Sequence, residues 1–142
     1  MVAKVNTSVM IALLPTTTYW AHQELPHMNL VYVGEVPNLR KSLQNELAKA
    51  TLELSLIYSK ITLNVIGLDQ LGTVEVLLLK PTQELLTMRK SVVRWNSSVK
   101  TDYNPHATVG PIGASGKTIP STLTFDRIIM VWGDKHLIYD LL

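Results

Sequence analysis

The 142-residue sequence contains no cysteine, which excludes disulfide bonds and thiolate–metal sites and fits a reducing compartment. Charge is also sparse. Charged residues make up 17% of the chain, and the net charge is +2 with the histidines neutral. A protein dedicated to duplex DNA usually carries a denser basic patch, so we expect no duplex DNA partner. A small anionic ligand is compatible with this charge balance.

Long hydrophobic runs are missing as well. No stretch approaches the roughly 20 apolar residues that a membrane span requires. The apolar run from Val9 to Leu14 is too short for a signal sequence, and Lys4 alone is a poor basic region in front of it. We therefore expect no membrane partner and a soluble, cytoplasmic protein. The hydrophobic content of 46% is typical of a globular chain, and the length predicts a single domain over residues 1–142.

The hydrophobic pattern predicts strands and helices in a fixed order. Short apolar or alternating runs bounded by proline and glycine predict strands at 9–14, 26–34, 61–66, 73–79, 105–110, 125–132 and 136–141. Leucines at helical spacing predict one helix from Pro37 to about Glu53, and Pro81 opens a second. Residues 67–72 are predicted to be a turn. Strand pairs that alternate with helices indicate an α+β fold.

One short motif occurs in each half of the chain, as Pro26-His27-Met28-Asn29 and Pro105-His106-Ala107-Thr108. Side chains alternate along a strand, so His27 shares a face with Asn29, and His106 shares a face with Thr108. The neighbouring side chains are apolar and are predicted to point to the helix-covered face: Met28, Leu30, Ala107 and Val109. Polar groups are costly to bury without partners, so the histidine face predicts a wet cleft.

These two motifs resemble the paired His-x-(Ser/Thr)-hydrophobic motifs of the 2H phosphoesterase superfamily. That superfamily includes LigT-like RNA 2′,3′-cyclic phosphodiesterases and small phage enzymes. Residues 102–108 look like its second motif, residues 125–139 resemble its closing hairpin, and the resemblance covers most of the chain. It implies a bilobal fold of two pseudo-symmetric antiparallel-sheet halves, with helices on the outer faces and a central cleft.

The resemblance also implies roles for the motif residues. His27 and His106 would be the catalytic pair, one activating water and the other protonating the leaving alkoxide, which imidazole can do near neutrality. Asn29 and Thr108 would donate hydrogen bonds to the non-bridging phosphate oxygens. Asn29 departs from the family, which usually has a hydroxyl there, although an amide also donates. The scheme needs no metal or other cofactor, and no convincing metal-ligand set stands out.

Four further residues are candidates for substrate binding. Trp20, Trp95 and Tyr103 lie in predicted loops beside the motif strands, where an aromatic face could stack on a nucleobase. Filling of gaps in the core is the alternative for the tryptophans. Lys117, between Gly116 and Thr118, could contact a phosphate, and a solvated loop lysine is the alternative there.

Three functions follow, in order of preference. The first is a metal-independent phosphodiesterase acting on a nucleotide or oligonucleotide, either a cyclic oligonucleotide signal or an RNA 2′,3′-cyclic phosphate. The small size suits the compact phage members that cleave signals of host defence systems, which would work in the host cytoplasm. The second is a non-catalytic nucleotide-binding module with a degenerate first motif at Asn29. The third is a metal-dependent hydrolase using His27, His106 and Asp102.

Overall fold

The computed structural model describes residues 7–16, 27–96, 103–113 and 119–142. Within them the chain forms strands and helices in the predicted order, so the predicted α+β class is confirmed. The elements are β1 (Ser8–Pro15), β2 (Met28–Glu35), α1 (Ser42–Ile57), β3 (Ile61–Leu71), β4 (Val74–Leu79), α2 (Gln83–Val92), β5 (His106–Pro111), β6 (Thr122–Trp132) and β7 (Lys135–Asp140). Single 3-10 turns at Val36–Asn38 and Val93–Trp95 follow β2 and α2.

The described strands form one antiparallel sheet in the order β2-β1-β6-β3-β4-β5, with β7 added beside β6. β3 joins the two halves, because its residues 61–64 pair with β6 while its later residues pair with β4. The two outermost strands of this order, β2 and β5, nevertheless contact each other. The sheet therefore curls until its two motif strands meet, which gives the predicted arrangement of two halves around a central cleft.

Both helices pack against the same side of the sheet. Leu47 of α1 and Leu85 of α2 are fully buried in one apolar cluster with Ile11 of β1 and Met130 of β6. The motif residues predicted to face this core do so and are at most 5% exposed: Met28, Leu30, Ala107 and Val109. The prediction from strand alternation is confirmed for both motifs.

The opposite face of the sheet is also apolar across its centre. Asn29 pairs with Ala12 of β1, so the two side chains lie on the same face. Ala12 belongs to a second, smaller buried cluster with Leu14, Ile129 and Val131. The face predicted to be wet therefore includes a buried apolar cluster on β1 and β6 and is not polar throughout.

The two halves share a backbone irregularity in their motif strands. In each strand an extra residue relative to the partner strand precedes a glycine, Val33 in β2 and Val109 in β5, and β2 carries a second extra residue at Leu30. Gly34 and Gly110 have φ angles of 150° and 149°, which favour glycine. An ideal Cβ on Gly34 would lie 3.4 Å from the side chain of Leu39. The resemblance between the halves thus extends beyond the His-containing motif.

The predicted turn from Gly67 to Gly72 is wrong, because β3 continues through it to Leu71. The register between β3 and β4 shifts between Val65 and Gly67, so Gly67 marks a bulge inside the strand instead of its end. The hairpin turns only at Gly72, whose φ of 62° is the left-handed conformation that a tight turn requires.

The boundaries predicted for the first helix are also wrong. Pro37 lies in a 3-10 turn, and Leu39 has an extended backbone and packs separately on the core. α1 starts at Ser42 and continues to Ile57, because Leu54 and Ser55 extend its buried face. No helix in the described part of the chain is long and apolar enough to cross a bilayer.

Leu47→Ala tests the packing of α1. Leu47 is fully buried, so its truncation should lower the free energy of unfolding by about 2–5 kcal/mol. Leu56→Ala on the same helix is the matched control, because Leu56 is 64% exposed and should change stability by less than about 0.5 kcal/mol. Urea denaturation measures both variants. Equal losses would contradict the orientation of α1.

Candidate functional site

A cavity of about 1050 Å³ opens between the motif strands. Its walls come from β2, β3, β4, α2 and the segment that leads into β5. The polar side chains in its lining are those of Asn29, Tyr32, Asp69, Arg89, Asn96, Tyr103, Asn104 and His106. Apolar side chains line it too, including Ile66 and Leu71 on β3, which are 63% and 50% exposed. This mixture of apolar wall and a few polar groups is typical of a small-molecule site.

His106 lines the cavity with its ring fixed by the backbone. Its Nδ1 lies 2.9 Å from the carbonyl oxygen of Asn104. A carbonyl oxygen only accepts hydrogen bonds, so Nδ1 carries the proton. In the neutral ring the lone pair then lies on Nε2. This tautomer suits a base that accepts a proton through Nε2.

Asn29 lines the same cavity from the other motif strand. The structure therefore brings together one residue of each motif, Asn29 from β2 and His106 at the start of β5. The Asn29 Oδ1 atom is buried and has no hydrogen-bond partner among the described residues. A buried amide oxygen without a partner costs free energy, and only a hydrogen-bond donor can satisfy it.

His27 and Thr108 do not belong to the described cavity lining. His27 immediately precedes β2 and is half-buried, and Thr108 of β5 is half-buried as well. Thr108 pairs with Val76, which does line the cavity. Alternation places each of them on the face of its motif partner. Their catalytic and phosphate-binding roles stay predictions.

Tyr103 links the two motif regions. Its hydroxyl donates a 2.6 Å hydrogen bond to the backbone carbonyl of Asn29. The guanidinium of Arg89 lies over its ring, 5.0 Å from the centroid. Burial raises the pKa of Tyr103 well above its ordinary value, and the Arg89 charge opposes that rise. The guanidinium of Arg89 already covers one face of the Tyr103 ring. Stacking of a nucleobase on Tyr103 stays a prediction.

The other predicted substrate-binding residues lie away from this lining or outside the described residues. Trp95 is half-buried against the main core, with the guanidinium of Arg94 4.0 Å from its ring centroid, and it is not among the described lining residues. Trp20, Lys117 and Asp102 lie outside the described residues. No group of three or more histidine, aspartate or glutamate side chains in the described segments could hold a metal ion.

Five polar residues of the cavity lining are not among the predicted site residues: Tyr32, Asp69, Arg89, Asn96 and Asn104. Strict alternation would turn Tyr32 to the core, but a bulge in β2 adds a residue after Asn29. Tyr32 therefore joins Asn29 on the cavity face and is 40% exposed. Arg89 follows Met88, which is fully buried on α2, although arginine side chains are mostly exposed. No sequence signal marks either the bulge or the inward turn of Arg89.

The Tyr32 hydroxyl donates to Glu35, which also accepts a 2.7 Å hydrogen bond from the hydroxyl of Thr7. The bond from Tyr32 is the main reason that the pKa of Glu35 is lowered, and the same bond raises the pKa of Tyr32. The Tyr32 hydroxyl is therefore held by its own strand, while its ring remains in the cavity wall.

Solved structures share this architecture. Crystal structures of E. coli LigT match the chain at 14% identity, and the match covers 96–98% of this chain and 96% of LigT. The TM-score is 0.59 for the complex with phosphate and 0.56 for the complex with 3′-AMP. The chain has the fold of LigT. A structure described as a phosphoesterase also matches, at 14% identity and a TM-score of 0.53 over 96% of both chains. No protein-family model and no curated protein matches the chain.

The LigT fold agrees with the resemblance of the two histidine motifs to the 2H phosphoesterases. The structural match covers the architecture of nearly the whole chain, and the two motifs carry the resemblance to the family. β2 and β5, which each hold residues of one motif, contact each other across the cleft.

Tyr103→Phe tests the link between the motif regions. Loss of the hydroxyl removes one hydrogen bond to Asn29, so the free energy of unfolding at neutral pH should fall by about 0.5–1.5 kcal/mol. The raised pKa of Tyr103 adds a pH dependence. The unfolded tyrosine ionises near pH 10 while the folded one stays neutral, so stability falls progressively as pH rises above about 10.

Urea denaturation between pH 7 and pH 11 measures both effects, and the alkaline loss should be smaller in Tyr103→Phe than in the original chain. Tyr58→Phe is the control, because Tyr58 packs on the same core and its hydroxyl has no described hydrogen-bond partner. Equal effects of the two substitutions would contradict the role of the Tyr103 hydroxyl.

Proposed function

We propose that this protein hydrolyses a phosphodiester in a nucleotide or oligonucleotide by metal-independent acid–base catalysis. The observation that carries the proposal is that His106, with its Nδ1 proton fixed by a carbonyl, shares one cavity with Asn29 of the other motif. The LigT fold supports it, since LigT structures hold phosphate, 3′-AMP and ATP. A cyclic oligonucleotide or an RNA 2′,3′-cyclic phosphate is the proposed substrate.

In the proposed reaction, His106 is the base and His27 is the acid. Nε2 of His106 accepts a proton from water as the water oxygen forms a new bond to phosphorus. The bond from phosphorus to the leaving oxygen breaks, and protonated His27 gives that oxygen its proton. Asn29 and Thr108 donate hydrogen bonds to the non-bridging oxygens, where negative charge increases in the transition state.

A panel of 2′,3′-cyclic nucleotides and cyclic di- and trinucleotides tests the activity, with and without a chelator. Turnover should survive chelation and fall by at least about 100-fold in both His27→Ala and His106→Ala, given the usual contribution of a positioned acid or base. His136→Ala is the control, because His136 is exposed on β7. Loss of turnover on chelation would overturn the metal-free mechanism.

The assignment of acid and base has its own test. A p-nitrophenyl phosphodiester has a leaving group that needs no protonation. This substrate should therefore restore most of the rate in His27→Ala and little of it in His106→Ala. The reverse pattern would make His27 the base and His106 the acid. Equal rates in the two variants would contradict both assignments.

The alternative function is a nucleotide-binding module without turnover, and Asn29 is the residue that favours it. An amide replaces the family's hydroxyl there, and its Oδ1 is buried without a described partner. If the protein is an enzyme, Asn29→Ala should lower kcat by about 100-fold or more, as loss of an oxyanion donor does, while Asn29→Thr retains activity. If calorimetry shows that nucleotides of the panel bind to the original chain and none of them is hydrolysed, the protein is a nucleotide-binding module without turnover.

A further inference from the structure

Arg89 of α2 projects its guanidinium into the wall of the cavity instead of into solvent. Its Nε and Nη1 atoms are buried and have no hydrogen-bond partner among the described residues. It forms no ion pair with any described carboxylate, including Asp69, which also lines the cavity. Arg89 is therefore a cation in the cavity wall whose N–H groups are not fully used.

The ring of Tyr103 is the described group that holds Arg89 in place. The guanidinium lies over this ring, and the Tyr103 hydroxyl is bonded to the Asn29 carbonyl. A cation–π contact offsets part of the cost of removing a charge from water, but it leaves the N–H donors unsatisfied. The guanidinium is thus held at the cavity lining, and phosphate oxygens match its planar group.

Arg89 reaches the cavity from a different element than the proposed reaction centre. Asn29, Thr108 and the histidines lie on or beside the motif strands, whereas Arg89 comes from α2 and approaches past the Tyr103 ring. The cavity volume of about 1050 Å³ is slightly larger than the range of about 300–1,000 Å³ for small-molecule sites. There is room for a ligand larger than one phosphate group at the histidines.

We propose that Arg89 binds a second phosphate of the substrate, one that is not cleaved. This inference rests on the proposed function, since it places the reacting phosphate at the motif residues. It makes Arg89 a specificity-determining residue that favours substrates with at least two phosphates, such as an oligonucleotide or a cyclic dinucleotide, over a nucleoside with a single cyclic phosphate.

Binding of adenosine 3′-monophosphate and adenosine 3′,5′-bisphosphate tests the proposal without any turnover. The two ligands differ by one phosphate. Calorimetry should show that the original chain binds the bisphosphate about tenfold more tightly, which corresponds to about 1.4 kcal/mol. In Arg89→Gln the affinities for the two ligands should differ by less than about twofold, and the affinity for the monophosphate should be unchanged.

Arg94→Gln is the matched control. Arg94 also lies over an aromatic ring, that of Trp95, but it is exposed and is not among the described cavity residues. This variant should keep the tenfold preference. A ratio near one in the original chain would overturn the proposal. Equal weakening of both ligands by Arg89→Gln would overturn it as well, because Arg89 would then act on the first phosphate or on the fold.

Urea denaturation adds a readout that separates binding from structure. The unpartnered guanidinium adds little to stability, so Arg89→Gln should leave the denaturation midpoint unchanged or raise it. A marked fall in the midpoint would assign Arg89 a structural role and contradict the proposal. If the binding preference is found and the nucleotide panel is not hydrolysed, the second phosphate site stands and the proposed hydrolysis fails.

Discussion

The contact between the two outermost strands of the sheet is the constraint on which the site depends. β2 and β5 are separated by the whole width of the hydrogen-bonded sheet, yet they meet because the sheet curls through the long strand β3. The Tyr103 hydroxyl, bonded to the Asn29 carbonyl, fastens the two motif regions together. Without this closure the two motifs would lie on separate edges and could not act on one phosphate.

Two-residue periodicity predicted much of this arrangement from the sequence. It placed Met28 and Val109 in the core and Asn29 and His106 on the opposite face, where they line one cavity. It failed where the backbone departs from regular pairing. The bulge in β2 brings Tyr32 into the cavity, and the bulge at Gly67 carries β3 through a predicted turn. Such bulges depend on pairing with a neighbouring strand, which one strand's sequence does not specify.

The charged and aromatic residues were harder to predict than the apolar ones. The sequence predicts that the Tyr103 ring stacks on a nucleobase, and it does not predict that Tyr103 packs on the core, bonds to Asn29 and lies under the guanidinium of Arg89. Arg89 lies next to Met88 on the helix, and only the path of the chain before β5 brings the Tyr103 ring beneath it. Burial of an unpartnered guanidinium opposes stability, and such a cost is commonly found at binding sites.

The central claim is that His27 and His106 act on the same phosphate. NMR of the protein labelled with ¹⁵N-histidine, titrated with inorganic phosphate, tests it most directly. The imidazole signals of His27 and His106 should shift together with one dissociation constant, the His136 signal should stay in place, and the His106 Nδ1 should report a bound proton. A titration in which phosphate moves only one of the two motif histidines would contradict a shared site.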